Sequence, residues 1–405
     1  MDIILSRSPA GSITKVGCYA IDLTGPNSHN LKLETGVGSL AIGPSSLGKK
    51  VNLHVEQDVC INWTVFDDFT TPAGSPWPRT LDYMGNSSGF FDWAHDRPIE
   101  DMSWCPMLSK DIAVDASNSK IHRLQIKLKE SSGQLHLTLP MRKFTPYFRL
   151  SVCGDLSLFT SDGDLPYILE LVPCTGSCKS KVPYQLPYMG ALSMVTMLEL
   201  RNAPLAQPIS LKCLDHFPNL EHLSLRGNFT HLGALADQAQ LKTLELRFMP
   251  NLTDLPALNF WPQLNSFIAH NIEEATGKRL RQQLRARSKN REWEGHASVS
   301  QLRKPEWWIS EFGRPFSAWH RHLAKVANEA YDAALTALSS AQTIDEGQAA
   351  FTAFTVHFNG LKGIETSERD DLGEAVWHLC QSTHAVRLGI LEEMALQWFD
   401  NARGY

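Results

Sequence analysis

The residues best suited to recognising a ligand recur at near-constant spacing in the middle of this 405-residue chain: Arg201, Arg226, Arg247 and then His270. A guanidinium presents a planar fork of donors that matches a carboxylate or phosphate two bonds at a time, and several side by side focus a positive potential. Two residues earlier stand Glu199, Ser224, Glu245 and Ile268, with Glu170 as a further upstream member. Two residues before those stand Met197, His222, Thr243 and Ser266. Two readings fit this set. It can form a surface for an acidic partner. Alternatively, each arginine can pair laterally with Glu199 or Glu245, contacts worth on the order of 0.2–1 kcal/mol that only keep an exposed face solvated.

What must position these side chains is legible in the leucines around them. Leu220-x-x-Leu223-x-Leu225 and Leu241-x-x-Leu244-x-Leu246 follow one pattern; Val195-x-x-Leu198-x-Leu200 is weaker and Leu264-x-x-Phe267-x-Ala269 degenerate. The second anchors, at 198, 223, 244 and 267, are 25, 21 and 23 residues apart. Repeats of roughly 20–29 residues with this signature contribute one short strand each. Successive strand residues point to opposite faces, so the leucines face a core and the residues between them face outward. No single unit can bury its leucines, and about three or more must stack into a parallel sheet to be stable. Further strands are therefore expected upstream, at Phe148–Val152 and Leu169–Val172, with Leu135–Leu139 as the start. The arginine column should then cross the concave face of the stack.

Other residue groups carry weaker chemistry. Gly43-Pro44-Ser45-Ser46-Leu47-Gly48-Lys49 follows a strand-like Ser39–Ile42 and matches a phosphate-binding loop, but Lys50 stands where a magnesium-binding Ser or Thr belongs. Val51–Val55 alternates like a strand, so no helix N-terminus would face the phosphates. A glycine-rich hairpin turn explains the segment better. Asp92, His95 and Asp96 crowd together without a second ligand cluster. Cys174 and Cys178 are the closest of eight cysteines, and no second pair has zinc-ligand spacing. Seven of the fourteen residues from Lys278 to Arg291 are basic, including Arg279, Arg281, Arg285 and Arg287. As a helix this segment would cap the stack through Leu280 and Leu284; its cations could also meet nucleic-acid phosphates.

Composition sets the frame. A net charge of -5 does not mark the whole chain as a nucleic-acid binder. The start of the sequence lacks a basic and apolar leader, and no run approaches the ~20 apolar residues of a membrane span, so a cytoplasmic protein with no membrane partner is expected. The expected class is α+β in three parts. Residues 1–110 are a β-rich N-terminal region, with Val51–Val55 and Cys60–Val65 alternating as strands. Residues 111–290 are the repeat stack with its basic cap. Residues 291–405 are helical, with apolar spacing at Phe316, Trp319, Leu323, Phe351, Phe354 and Phe358, then at Leu388, Leu391, Met394 and Trp398. Thr343-x-x-Glu346 and Ser367-x-x-Asp370 mark helix starts as capping boxes.

From the repeats onward the chain resembles uncharacterised bacterial leucine-rich-repeat proteins. The repeat residues carry most of that likeness, joined by Pro305-Glu306-Trp307-Trp308, Pro315–Trp319 and Gly363–Arg369 in the helical tail. It departs from the usual pattern at the turn positions, where Gly227, Phe248 and Asn271 follow the column residues. The resemblance implies a curved binding scaffold but no particular ligand. The expected function is protein recognition without catalysis, as an adaptor, a toxin-neutralising immunity protein or a component of a defence system. No cofactor, metal or catalytic residue is expected. The rival expectations are a nucleic-acid binder using 278–291 and a hydrolase or nucleotide-dependent enzyme using the N-terminal region.

Overall fold

The computed structural model describes residues 13–71, 74–128, 131–175, 182–316, 319–364 and 366–404. The chain divides into two compact units, Met1–Lys304 and Pro305–Tyr405.

The first unit opens on an antiparallel pair, β1 (Gly17–Ile21) with β2 (His29–Leu33). There follow β3 (Ser39–Gly43), β4 (Leu53–His54), β5 (Thr80–Met84), the short helix α1 (Phe90–Trp93) and β6 (Ile99–Cys105). Next come β7 (Ile112–Asp115), β8 (Ile121–Leu128), β9 (Leu135–Leu139), β10 (Arg149–Gly154), β11 (Phe159–Gly163) and β12 (Ile168–Pro173). The unit ends with β13 (Met197–Arg201), β14 (Ile209–Ser210), β15 (His222–Arg226), β16 (Phe229–Thr230), β17 (Thr243–Met249), β18 (Ser266–Glu273), helix α2 (Glu274–Asn290) and β19 (Ala297–Arg303).

Twelve of these strands make one parallel sheet in the order β19-β18-β17-β15-β13-β12-β10-β8-β6-β5-β3-β4. Sheet order follows chain order from β5 onward. Between neighbours the chain departs into a second layer, where β7, β9 and β11 form a three-stranded parallel sheet and β14 pairs with β16. The register shows why this holds together. One row runs Leu81, Met102, Leu124, Leu150, Leu169, Leu198, Leu223, Leu244 and Phe267, each partnered with the next across adjacent strands. All are at most 1% exposed, so the inward face is a continuous apolar ridge. A slip of one residue would turn the whole ridge outward, which pins the register.

The large sheet extends beyond the expected 111–290 on both sides. β6 pairs with β5 and β8, so the sheet continues through residue 110, and β19 adds a strand after 291. One apolar core holds residues from Ile13 to Leu284. Leu135–Leu139 is a strand but belongs to the smaller sheet, because the chain alternates between layers there. Cys60–Val65 is not a strand: Trp63–Phe66 is a 3-10 turn that buries Trp63 and Phe66 three residues apart. Of Val51–Val55 only Leu53–His54 is strand, pairing parallel with β3 rather than closing a hairpin.

The second unit is helical: α3 (Pro305–Phe312), α4 (Arg321–Ser340), α5 (Ile344–His357), α6 (Thr366–Cys380), α7 (Thr383–Arg387) and α8 (Glu392–Ala402). Its core gathers Phe316, Leu338, Phe351, Phe354, Phe358, Leu372 and Phe399. Thr343 caps α5 by accepting from Glu346 N at 3.2 Å, while the Glu346 carboxylate accepts from Gln342 N at 2.6 Å. In α8 the buried face is Ala395 and Phe399, one residue off the spacing read from sequence, and Leu391 is 64% exposed. Among the described residues no helix is long and apolar enough to cross a membrane.

Candidate functional site

The outward face of the large sheet brings the expected column together. Arg201 pairs with Arg226, Arg226 with Arg247, Arg247 with His270, and His270 with Ser300 on β19. Adjacent strands lie about 4.8 Å apart, so three guanidiniums stand shoulder to shoulder. The second row also aligns, as Glu170, Glu199, Ser224, Glu245 and Ile268. A third row holds Met197, His222, Thr243 and Ser266.

Ion pairing divides the arginines into two kinds. Arg201 Nε lies 2.5 Å from Glu170 and its Nη2 3.4 Å from Glu199. Arg149, two strands away from Glu199, reaches that carboxylate at 2.6 Å and Glu170 at 3.6 Å. Glu170 is 8% exposed at the side chain, so two cations compensate a buried charge. Arg247 pairs with Glu245 at 2.9 Å. Arg226 differs. Its second-row neighbour is Ser224, and among the described residues no carboxylate lies within ion-pair reach of it. Its guanidinium rests 4.6 Å from the ring of Phe248. Partial burial and then the flanking Arg201 and Arg247 push its pKa below the usual arginine value.

The two histidines of the face are both biased toward the neutral form. Burial, then Arg247 and Arg303, lower the pKa of His270, whose Nδ1 meets Ser300 Oγ at 2.9 Å. Burial lowers His222, opposed by Glu221 and assisted by Lys242.

The turn residues that break the usual repeat pattern share one backbone state. Gly227, Phe248, Asn271 and Gln301 directly follow Arg226, Arg247, His270 and Ser300, and their φ values are 111°, 52°, 50° and 53°. Glycine and asparagine enter this left-handed region at little cost, and a phenylalanine does so rarely. At Gly227 any Cβ would meet Asn202 O at 2.0 Å. Asn271 is buried and accepts from Arg303 Nε at 2.7 Å.

The basic segment takes a structural form. Arg287 donates to the carbonyls of Leu258, Trp261 and Leu264 at 2.8, 3.1 and 2.8 Å and stacks on Trp293 at 4.8 Å. Arg279 donates to Leu255 O, Arg281 to Val299 O, and Arg291 to Pro262 O and Asn265 Oδ1. Lys278 pairs with Glu274 at 2.9 Å. Arg285 and Lys289 remain exposed. Leu280 and Leu284 are buried against the sheet unit's core.

The phosphate-loop candidate has an unsuitable form. Residues Ser45–Lys50 make a 3-10 turn with Gly48 at φ 53°, followed by extended Val51. Glu56 occupies the loop instead, accepting from Ser45 N at 3.1 Å and Ser45 Oγ at 2.7 Å. A carboxylate held there repels a phosphate. His95 Nε2 lies 3.6 Å from Asp96 and its Nδ1 3.2 Å from Asn118 O. Among the described residues no group of three His, Cys, Asp or Glu is arranged to hold a metal. Cys174 is exposed, and Cys178 lies outside the described residues.

Sequence reasoning missed Arg149 and Arg303, which supply charge from strands outside the clear repeats. Arg149 stood in a recognised strand, two residues before the outward Ser151, so its row was readable; its diagonal reach to Glu199 was not. No family model matches the chain, and no curated protein or solved structure matches it.

Proposed function

We propose that the large parallel sheet is the inner wall of a leucine-rich-repeat-like solenoid whose concave face recognises a protein partner without catalysis. What carries the reading is the outward face itself: polar side chains aligned in register over successive strands, with Arg226, among the described residues, in no ion pair beside paired neighbours. Rigid backbones that hold polar side chains in fixed rows suit recognition by electrostatic complementarity, which sets register and rejects wrong partners. A role as adaptor, immunity protein or defence component is compatible with such a face. The rival readings have less to stand on. Four of the seven basic residues of that segment donate to backbone carbonyls, and Glu56 fills the would-be phosphate loop.

The test is affinity capture from native lysate with three forms of the full chain. The first is unaltered; the second carries His222→Glu, Ser224→Arg and Thr243→Arg on the sheet face; the third carries Arg285→Glu and Lys289→Glu on α2. All three should melt alike. A protein captured by the first and third and lost by the second supports the face. Identical captures by all three, or a loss confined to the third, would overturn it.

A further inference from the structure

We infer that Arg226 is the anchor of the recognition face, a seat for a single carboxylate presented by an acidic segment of the partner protein. This rests on the reading that the sheet face binds protein, and it goes further by assigning one residue the binding and its neighbours the support.

Four observations lead there. First, the face sorts its own charges. Glu170, Glu199 and Glu245 are taken by Arg149, Arg201 and Arg247, and Arg226 alone in the column faces a serine. Second, the fork is held in place without being consumed. Phe248 lies under the guanidinium at 4.6 Å, and a cation on an aromatic face keeps its N–H edge available for a bidentate acceptor. Third, Phe248 holds that position at φ 52°, where the register-equivalent residues are Gly227, Asn271 and Gln301. A bulky residue kept in a left-handed conformation among cheaper alternatives points from an observed outlier to a local task. The same ring also meets His270 edge-on at 6.1 Å, so it touches both Arg226 and His270. Fourth, Arg226 sits between two other arginines, and among the described residues no carboxylate pairs with it. An incoming carboxylate would.

The surroundings favour a protein carboxylate over a nucleic-acid backbone. A phosphodiester chain presents a charge at every step and would run along carboxylates as well as Arg226. Asp82 and Asp101 lie farther along the same face, and Glu170, Glu199 and Glu245 lie beside it. An isolated aspartate or glutamate, flanked in the partner by groups that tolerate those acids, meets Arg226 without running past them.

The experiment is a titration of the full chain, at low ionic strength, with a blocked glycine peptide carrying one glutamate and separately with a uridine oligonucleotide. Arginine Nε–H resonances and apparent affinity are the readouts. The unaltered protein should bind the peptide with movement of the Arg226 signal, and Arg226→Gln should weaken binding at least fivefold while melting no lower. Lys289→Gln should bind as the unaltered protein does, and Arg226→Lys, which keeps the charge and loses the fork, should recover only part. An Arg226 signal that stays still, an undiminished Arg226→Gln, or tighter Arg226-dependent binding of the oligonucleotide would each overturn the inference. A partner captured through the face in the lysate experiment and retained equally by Arg226→Gln would overturn it while leaving the face reading intact.

Discussion

The arginines of α2 are crowded in sequence and dispersed in use; the column arginines of the large sheet are spread from Arg201 to Arg247 and end on adjacent strands. Arg279 and Arg287 of the helix donate to carbonyls in the turns between β17 and β18, and Arg281 to one in β19. On the sheet the backbone is already paired with its neighbours, so side-chain cations can be answered only by other side chains. Whether a carboxylate stands in the adjoining row then decides each case, and at Arg226 it is a serine. A dense basic run is thus not a free basic patch, and a cation's neighbours in space matter more than those in sequence.

The largest effect should come from the helix side. Arg287→Ala removes three charged hydrogen bonds to carbonyls and the stack on Trp293, and should lower the unfolding free energy by about 2 kcal/mol in urea. A loss under about 0.5 kcal/mol, the scale of an ordinary surface substitution, would make α2 an ordinary solvated patch and erase the contrast. On the sheet, Glu170→Gln leaves Arg149 and Arg201 without their buried anion and should cost about 1 kcal/mol by the same measurement. If it costs nothing, the paired arginines are as unanswered as Arg226.

The smallest effect is in pH dependence. His222 and His270 have pKa values lowered in the fold by burial, so on acidification the unfolded chain takes up protons before the folded one. Their stability contribution is intact above the ordinary histidine value near about 6.5 and is lost as pH falls from there toward the lowered folded values. The double variant His222→Gln with His270→Gln should flatten that part of the melting-temperature profile between about pH 7 and 5. An unchanged slope would show that neither histidine feels the cations around it.

Much of the sheet was readable because its signal is local and periodic. Leucines at fixed spacing mark the strands, and aligning them gave the pairing of 198 with 223, 244 and 267 and of 201 with 226, 247 and 270. The N-terminal strands β5 and β6 were not recognised, since Thr80–Met84 and Ile99–Cys105 bury Tyr83, Met102 and Trp104 where the repeats carry leucine. Cys60–Val65 misled because alternation and a 3-10 turn can place the same aromatic residues inward.

For β13, β15, β17 and β18 the sequence by itself determined which residues line the outward face and in what order, because a period of two in a strand leaves no choice once the leucines must be buried. Tertiary structure alone decided which of those residues are occupied. The acid that answers Arg201 is Glu170, and the cation that shares it, Arg149, comes from one strand further away. Such pairings join positions tens of residues apart through side-chain reach across strands, and no local pattern encodes that reach.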